Sequence, residues 1–136
     1  MKKILVTGSE GYIGKKLVPV LCKRGYQVTG IDTCFFTDTF LYEPQKVNYK
    51  LIKKDVRDVV PDDCREYDAV IHLAGINNDT QGILSENAVY DINHKAAVHV
   101  AKCAKDAGVK RFIFASSCSV YGKSETDKIL KETNAT

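Results

Sequence analysis

The feature that most constrains this chain is a glycine-rich segment placed directly after its first apolar run. Residues 4–6 are Ile-Leu-Val, and residues 7–14 read Thr-Gly-Ser-Glu-Gly-Tyr-Ile-Gly. A strand followed by such a loop and then by a helix can hold a diphosphate, because the amino end of the helix offers unpaired N–H groups and a positive dipole end. The sequence therefore predicts a dinucleotide site at the start of the chain. The loop residues expected to contact the ligand are Gly8, Gly11, Tyr12, Ile13 and Gly14.

A second pattern indicates which dinucleotide such a site takes. Residues 26–32 alternate like a strand and end at Asp32, about 20 residues beyond the loop, where a carboxylate can accept hydrogen bonds from both ribose hydroxyls. A carboxylate at this place repels a 2′-phosphate, and residues 33–36 bring no lysine or arginine to attract one. The sequence therefore predicts NAD rather than NADP as the cofactor. The alternative is that the glycines form only a tight turn and that Asp32 caps a loop.

The composition is that of an ordinary folded domain. The 136 residues are 44% hydrophobic and 27% charged, which is typical of one globular domain. The net charge of +3 comes from basic residues scattered among acidic ones, without a basic block, so we expect no nucleic-acid partner. No apolar run approaches the ~18 residues of a membrane span, so we expect no membrane association.

Cysteine usage points to a reducing compartment. The five cysteines form no C-x-x-C pair, and their number is odd, which favours free thiols over a disulfide framework and argues against a metal site. The first strand follows residues 1–3 directly, so we expect no cleavable targeting segment. These features predict a cytoplasmic protein.

Strand and helix patterns alternate along the chain. This alternation predicts an α/β fold, a doubly wound parallel sheet (Rossmann fold) of about five strands in the order 3-2-1-4-5. The apolar runs at 68–74 and 111–115 are nearly continuous, as expected of central strands covered on both faces. The predicted strands are 3–7, 27–32, about 47–53, 69–73 and 111–116, and the predicted helices are about 12–23 and 85–107.

Individual residues predict where the helices begin and end. Ser85 is the expected N-cap of the long helix, and Gly108 is the expected stop. Pro19 falls inside the first helix, where a proline costs about 3 kcal/mol, so we expect either a kink or a helix that begins after Tyr12. Residues 33–46 lack a clear period and are predicted to form a loop.

Further motifs follow the strands in a fixed order. Asp-Val-Arg stands at 55–57, His-Leu-Ala-Gly at 72–75, Asn93 in the long helix, and Ser-Ser-Cys-Ser-Val-Tyr-Gly at 116–122. Together with the glycine loop and Asp32, these motifs resemble the extended short-chain dehydrogenase/reductases, and within them the NAD-dependent epimerase/dehydratase family that acts on nucleotide sugars. The resemblance runs over essentially the whole chain.

The resemblance implies a place on the cofactor for two of these motifs. It puts Asp55 and Val56 at the adenine edge, with the Asp55 carboxylate accepting from the exocyclic amine. It puts the turn of Leu73, Ala74 and Gly75 under the nicotinamide ribose and the phosphates, where a close backbone approach explains small residues. Gly75 departs mildly from the family, which more often has alanine there.

The same resemblance assigns the residues nearest the chemistry. Ser117 takes the place of the family's catalytic serine or threonine, whose hydroxyl bonds the reacting oxygen of the substrate, and Ser116 beside it joins the cofactor-binding set. Asn93 resembles a helix asparagine that orients the backbone and water of the active site. The alternatives from the residues alone are a strand-end cap for Ser117 and a satisfied polar group for Asn93.

The catalytic base of the family is expected outside this sequence. By the resemblance it is a tyrosine with a lysine four residues later, at a position that falls past Thr136. Tyr-x-x-x-Lys strings begin at Tyr12, Tyr42 and Tyr49, but all of them precede Ser117, so we interpret them as coincidences. We therefore expect this chain alone to be inactive.

The resulting assignment is one NAD-binding Rossmann domain over residues 1–136, incomplete at its C-terminal side and without its substrate domain. The resemblance makes it the NAD-binding part of a nucleotide-sugar epimerase or dehydratase that works by transient hydride transfer. We expect a nucleotide-sugar substrate in the complete enzyme, and a homodimer or self-association through an open fifth strand. Two other functions stay open: a stand-alone module that binds NAD without turnover, and an NAD-dependent reductase of a small carbonyl compound.

Overall fold

The computed structural model describes residues 1–37, 43, 45–76, 86–122 and 131–133. Strands and helices alternate along these residues. The strands are β1 (Lys3–Thr7), β2 (Gln27–Asp32), β3 (Lys50–Lys53), β4 (Ala69–His72) and β5 (Arg111–Phe114). The helices are α1 (Gly14–Lys23), α2 (Pro61–Cys64), α3 (Glu86–Tyr90) and α4 (Ala96–Asp106), with a π-helical turn at Asp91–Lys95 and 3₁₀ turns at Val56–Asp58 and Cys118–Tyr121.

The strands form a five-stranded sheet in the order β3-β2-β1-β4-β5, and every neighbouring pair is parallel. The predicted doubly wound fold and its strand order are thus confirmed. Thr7 lies opposite Ile31 on one side and His72 on the other. The carboxyl ends of β1, β2 and β4 therefore meet at one edge, which is where such sheets collect their ligands.

Side chains of β1 divide the core into two layers, because successive residues of a strand face opposite sides of the sheet. Leu5 packs in a buried cluster with Val100 of α4, whereas Ile4 and Val6 pack in a second cluster with Val18 of α1. The sheet is therefore covered by helices on both faces. None of the helices in the described part of the chain combines the length and hydropathy that crossing a bilayer needs.

The first helix begins after Tyr12, which was one of the two outcomes expected from its proline. Helix α1 starts at Gly14, and Pro19 lies inside it and is buried. Proline cannot donate the usual hydrogen bond within a helix. Burial of its apolar ring offsets part of that cost.

The long helix differs from its prediction in the middle. A π-helical turn separates α3 from α4, and the periodicity gave no indication of it. The predicted stop is confirmed, since Gly108 has a φ of 78° directly after the helix and takes the left-handed conformation that ends helices. Ser85, the expected N-cap, lies outside the described residues.

The prediction that β5 is a covered central strand is wrong. Val70, Ile71 and His72 of β4 are buried, but Ile113 and Phe114 of β5 are 50% and 51% exposed. Within the described residues β5 is the last strand of the sheet, and no described helix covers this part of its face. A continuous apolar run indicates a strand suited to burial on both faces. It does not predict which helices pack on that strand, because those helices are encoded elsewhere in the sequence.

The exposed face of β5 supports the prediction that the chain self-associates. We expect the isolated 136-residue chain to form dimers or larger species, because an open strand edge and an apolar face favour association. Replacing Ile113 with threonine should shift the apparent mass in size-exclusion chromatography towards the monomer. Val98→Thr, at a helix position of similar exposure, is the matched control and should leave the mass unchanged. A clean wild-type monomer at high concentration would contradict the prediction.

Candidate cofactor site

An open cleft of about 160 Å³ lies at the carboxyl ends of β1, β2 and β4. It is where the topology of the sheet predicts a ligand. The structure brings eight of the residues selected from the sequence to this cleft. They are Gly8, Gly11, Asp32, Asp55, Val56, Leu73, Ala74 and Gly75.

The glycine loop crosses the end of β4 at very short range. Gly8 has a φ of 73°, and its N–H donates to the Ile31 carbonyl at 2.8 Å. A Cβ atom on Gly8 would lie 2.6 Å from the Ala74 nitrogen. Only glycine therefore fits here, both for its backbone conformation and for the space it leaves.

The start of α1 is packed against the same loop. A Cβ atom on Gly14 would lie 2.5 Å from the Ser9 carbonyl oxygen, so the helix approaches the loop as closely as a glycine permits. Hydrogen bonds of the helical type begin at the Gly11 carbonyl, which accepts from the Lys15 N–H at 3.0 Å. The amino end of the helix therefore lies beside the cleft. Its unpaired N–H groups can bind a diphosphate there.

Tyr12 and Ile13 are placed differently from the rest of the loop. Their side chains are 67% and 56% exposed, and neither lines the cleft, nor does the buried Gly14. The structure therefore does not bring these three predicted residues to the cleft.

Asp32 is held in place by two main-chain donors. Its Oδ2 accepts from the Glu10 N–H at 2.9 Å and its Oδ1 from the Cys34 N–H at 2.8 Å. Each carboxylate oxygen can accept more than one hydrogen bond. The side chain is thus oriented before any ligand arrives and keeps acceptor capacity for a ribose diol.

Two aromatic side chains beside Asp32 were missed as candidate contacts. Phe35 and Phe36 line the cleft and are 78% and 54% exposed. The sequence pattern indicates only that residues 33–36 lack a basic side chain, and it gives these two rings no role. Exposed aromatic rings at a cleft offer flat surfaces to a ligand base.

Asp55 already has a strong partner in the chain. It caps the 3₁₀ turn that follows β3, and its oxygens accept from Arg57 Nε at 3.0 Å and Nη2 at 2.6 Å. These hydrogen bonds hold the pKa of the Asp55 carboxyl below its usual range. Arg57 and Lys54 also line the cleft, and sequence reasoning did not select either of them. Lys54 is itself paired with Asp63 at 2.5 Å.

Asn93 fixes the backbone that follows β4. Its Oδ1 accepts from the Ile76 N–H and its Nδ2 donates to the Ile76 carbonyl, both at 2.8 Å. A Cβ atom on Gly75 would lie 3.1 Å from Asn93 Oδ1, which is a tight fit. Asn93 lies in the π-helical turn, so its side chain contacts this backbone from an irregular part of the helix. Such π-helical turns occur often at functional sites.

A buried histidine lies under this part of the cleft. His72 is 1% exposed, and its Nδ1 is 2.7 Å from the Thr7 hydroxyl. Its ring stacks on Phe112 and Phe114 at centroid distances of 6.0 Å. Among the described residues its Nε2 has no hydrogen-bond partner, and burial lowers the pKa of His72 to about 4. The ring is therefore neutral at pH 7 and joins β1, β4 and β5.

Ser116 and Ser117 follow β5 and are not brought to the cleft. The Ser117 Oγ accepts from the Ser119 N–H at 3.2 Å and lies 3.0 Å from the Ser119 Oγ. Ser117 is exposed and caps the 3₁₀ turn at Cys118–Tyr121. In this structure its hydroxyl serves as the N-cap of that turn.

The arrangement fits a dinucleotide cofactor on physical grounds. Glycines at positions 8 and 14 leave a space that any Cβ atom would fill, and the amino end of α1 lies beside it. A preoriented carboxylate stands at the end of the next strand. Together these features suit a diphosphate and an adjoining ribose with free hydroxyls.

Comparison with known proteins agrees with this interpretation. A UDP-glucose 4-epimerase of Klebsiella pneumoniae is 33% identical over 130 residues, which are 88% of this chain and 92% of that sequence. A UDP-N-acetylglucosamine 4-epimerase from Methanobrevibacter ruminantium M1, solved in complex with UDP-N-acetylmuramic acid, is 29% identical with a TM-score of 0.81. MoeE5, solved in complex with UDP-glucose and NAD, is 27% identical with a TM-score of 0.79.

These comparisons also give the extent of the match. The two solved structures match 97% of this chain, whereas the chain covers only 43% and 41% of their lengths. The sequence model of the NAD dependent epimerase/dehydratase family matches residues 4–136. NAD is the cofactor by which that family is described. The chain therefore belongs to the NAD-dependent epimerase/dehydratase family.

Proposed function

We propose that residues 1–136 are the NAD-binding domain of a nucleotide-sugar epimerase or dehydratase. The observation that carries this proposal is the meeting of the glycine loop, Asp32 and the turn after β4 around one cleft. The names of the relatives support the substrate class, since those quoted above are named as nucleotide-sugar epimerases or are solved with a nucleotide sugar.

Different groups of residues are proposed to bind different parts of the cofactor. Main-chain N–H groups of the glycine loop and of the first turn of α1 bind the diphosphate. Asp32 accepts from the hydroxyls of the adenosine ribose. Val56, beside the Asp55–Arg57 pair, borders the adenine, and the Leu73–Gly75 turn passes under the nicotinamide side. Bound NAD supplies a hydride acceptor that returns the hydride in the same catalytic cycle.

Ser117 is the proposed hydroxyl donor to the reacting oxygen of the sugar. It stands at the carboxyl end of β5, where parallel sheets collect reactive groups. Its hydroxyl is now engaged by Ser119, so this contact has to be exchanged for the substrate. We expect no turnover from residues 1–136 alone, because the proposed Tyr-x-x-x-Lys base is not among them.

The position of Ser117 also supports a second candidate. Its hydroxyl is held in its own turn and does not line the cleft, so residues 1–136 could bind NAD without carrying out chemistry.

A cytoplasmic location is proposed for either function. The cysteines support it, since Cys22, Cys34, Cys64, Cys103 and Cys118 are all free thiols.

The test is a calorimetric titration of NAD and NADP against the wild type and Asp32→Ala. We expect the wild type to prefer NAD and the variant to lose about tenfold to a hundredfold in NAD affinity, because a hydrogen bond to a charged group contributes about 1.5–3 kcal/mol. Asp106→Ala, an exposed acid at the end of α4, is the control and should bind like the wild type. Equal affinity for both cofactors, or no loss in Asp32→Ala, would contradict the proposal.

A further inference from the structure

A second acidic residue lines the cleft beside Asp32. Glu10 belongs to the glycine loop and lines the cleft together with Asp32. Its main-chain N–H donates to Asp32 Oδ2 at 2.9 Å, so the two residues are direct neighbours. Neither the glycine pattern nor the family comparison gives this acid a role.

The Glu10 side chain is held by a tyrosine from another part of the chain. The Tyr49 hydroxyl donates to Glu10 Oε1 and lies 3.5 Å from Ser9 Oγ. Tyr49 directly precedes β3, which pairs with β2, the strand that ends at Asp32. The bond holds the Glu10 carboxylate beside Ser9 and the Tyr49 ring, and from there its charge still acts on Cys34, two residues after Asp32.

Gly30 makes this contact possible. It lies in β2 beneath the glycine loop, and a Cβ atom there would come within 2.7 Å of both Tyr49 Cε2 and Ser9 Cβ. The space left by the missing side chain is thus filled by the Tyr49 ring and by Ser9. Any larger residue at position 30 would force the ring away from Glu10.

The negative charges of Asp32 and Glu10 act on the same nearby groups. Burial, followed by the hydrogen bond to Glu10, raises the pKa of Tyr49 above its usual range, which keeps its hydroxyl protonated as a donor. Burial also raises the pKa of Cys34, and the charges of Asp32 and Glu10 raise it further. Both negative charges therefore act on the segment that follows β2.

Nearby basic side chains are already engaged. Each of three contacts a carboxylate or main-chain carbonyl of the chain, which limits their attraction for an incoming phosphate. They are Lys54 with Asp63, Arg57 with Asp55, and Lys15 with the carbonyls of Phe36 and Thr37. The charges of Lys53 and Lys15 also act on Cys34 in opposition to the carboxylates, but neither lysine lines the cleft.

We propose that Glu10, positioned by the Tyr49 hydroxyl, is a second selectivity residue of the cofactor cleft and joins Asp32 in disfavouring a nucleotide with a 2′-phosphate. The inference rests on the proposed NAD site. A ribose with free hydroxyls brings no charge near Glu10, whereas a 2′-phosphate brings about two negative charges against both carboxylates.

The test is the ratio of the NADP and NAD dissociation constants, measured by calorimetry on the full 136-residue chain. Glu10→Gln keeps the side-chain length and an acceptor oxygen for Tyr49 but removes the charge. We expect it to lower the ratio about tenfold by tightening NADP binding, with the NAD constant within about twofold of the wild type. The difference from the wild type should shrink as salt is raised, because partly exposed charges are screened.

Glu66→Gln is the matched control. Glu66 pairs with Lys3 at 3.1 Å, at the amino end of the sheet and therefore away from the cleft. The same single charge is removed there, and we expect an unchanged ratio. An equal fall in the ratio for both variants would reduce the effect to net charge and overturn the proposal.

Tyr49→Phe tests the positioning role, since it keeps the ring over Gly30 and removes only the hydroxyl. We expect it to lower the ratio in the same direction as Glu10→Gln but by less. The double variant should match Glu10→Gln alone, because Tyr49 acts through Glu10. Additive effects of the two changes would contradict this positioning role.

The outcomes separate this proposal from the proposed function. A wild type that binds neither nucleotide contradicts the NAD site itself. A wild type that prefers NAD, with a Glu10→Gln variant of unchanged ratio, contradicts only the role of Glu10. A Glu10→Gln variant that weakens both nucleotides equally indicates that the side chain supports the loop and also overturns the selectivity role.

Discussion

Replacing Gly8 with alanine is expected to abolish NAD binding and to destabilise the fold by about 3 kcal/mol or more. The left-handed backbone, with a φ of 73°, costs about 1–2 kcal/mol for any residue with a Cβ atom. The added atom would also lie 2.6 Å from the Ala74 nitrogen, in main chain that has no flexible end to move. The loop and the end of β4 must then separate, and these two segments form the floor of the cleft.

Gly108→Ala separates the two parts of this effect. Gly108 has a similar φ of 78°, but a Cβ atom there would meet nothing within 4 Å. We expect a loss of only about 1–2 kcal/mol and an unchanged NAD affinity. Urea unfolding followed by circular dichroism gives the free energies, and calorimetry gives the binding constants. If both variants unfold at the same urea concentration and bind NAD alike, the close crossing at Gly8 has no consequence.

The strand order was predictable because it depends on patterns that are local. Apolar strands separated by helical segments leave few ways to form a parallel sheet with right-handed crossovers. The burial of β5 was not predictable in the same way. Its apolar run resembles that of β4, yet Ile113 is 50% exposed while Val70 is fully buried. Hydrophobicity describes what a strand can bury, whereas coverage depends on elements distant in the sequence.

The site shows the same division between local and distant information. The conformation of Gly8 and the place of Asp32 at the end of β2 follow from their immediate sequence, and the structure agrees with both. The Tyr49–Glu10 hydrogen bond joins residues 39 positions apart, so no local sequence pattern predicts this contact. In the sequence Tyr49 is only the start of a Tyr-x-x-x-Lys string, whereas in the fold it contacts the glycine loop.

The pairing of Asp55 with Arg57 shows a limit of a different kind. The two residues are close in sequence, but the family resemblance predicts only the place of the aspartate, at the adenine edge, and not its pairing with Arg57. In the structure the guanidinium binds both carboxylate oxygens. The family motif predicts where Asp55 lies. The hydrogen bonds from Arg57 decide how many of its acceptor sites stay available to a ligand.

His72 should make the stability of the fold depend on pH between about 6.5 and 4. Burial lowers its pKa to about 4 in the folded chain, against about 6.5 in an unfolded chain. As the pH falls through 6.5 the unfolded state binds the proton first, so the stability that is fully present above this pH is progressively lost. The loss is complete near pH 4 and amounts to about 3 kcal/mol. Urea unfolding at half-unit pH steps measures it.

This window lies above the one in which the paired Asp55 contributes. Asp55, whose pKa is held low by Arg57, contributes stability that is lost only below about pH 4. His72→Gln removes the titrating ring, so we expect its free energy of unfolding to be nearly flat between pH 6.5 and 4, even though lost packing against Phe112 and Phe114 lowers the whole curve. His94→Gln removes an exposed ring and should keep the wild-type slope. A wild-type curve that is already flat in this range would show that the buried ring takes up its proton without cost, and its role as a neutral link between β1, β4 and β5 would then be wrong.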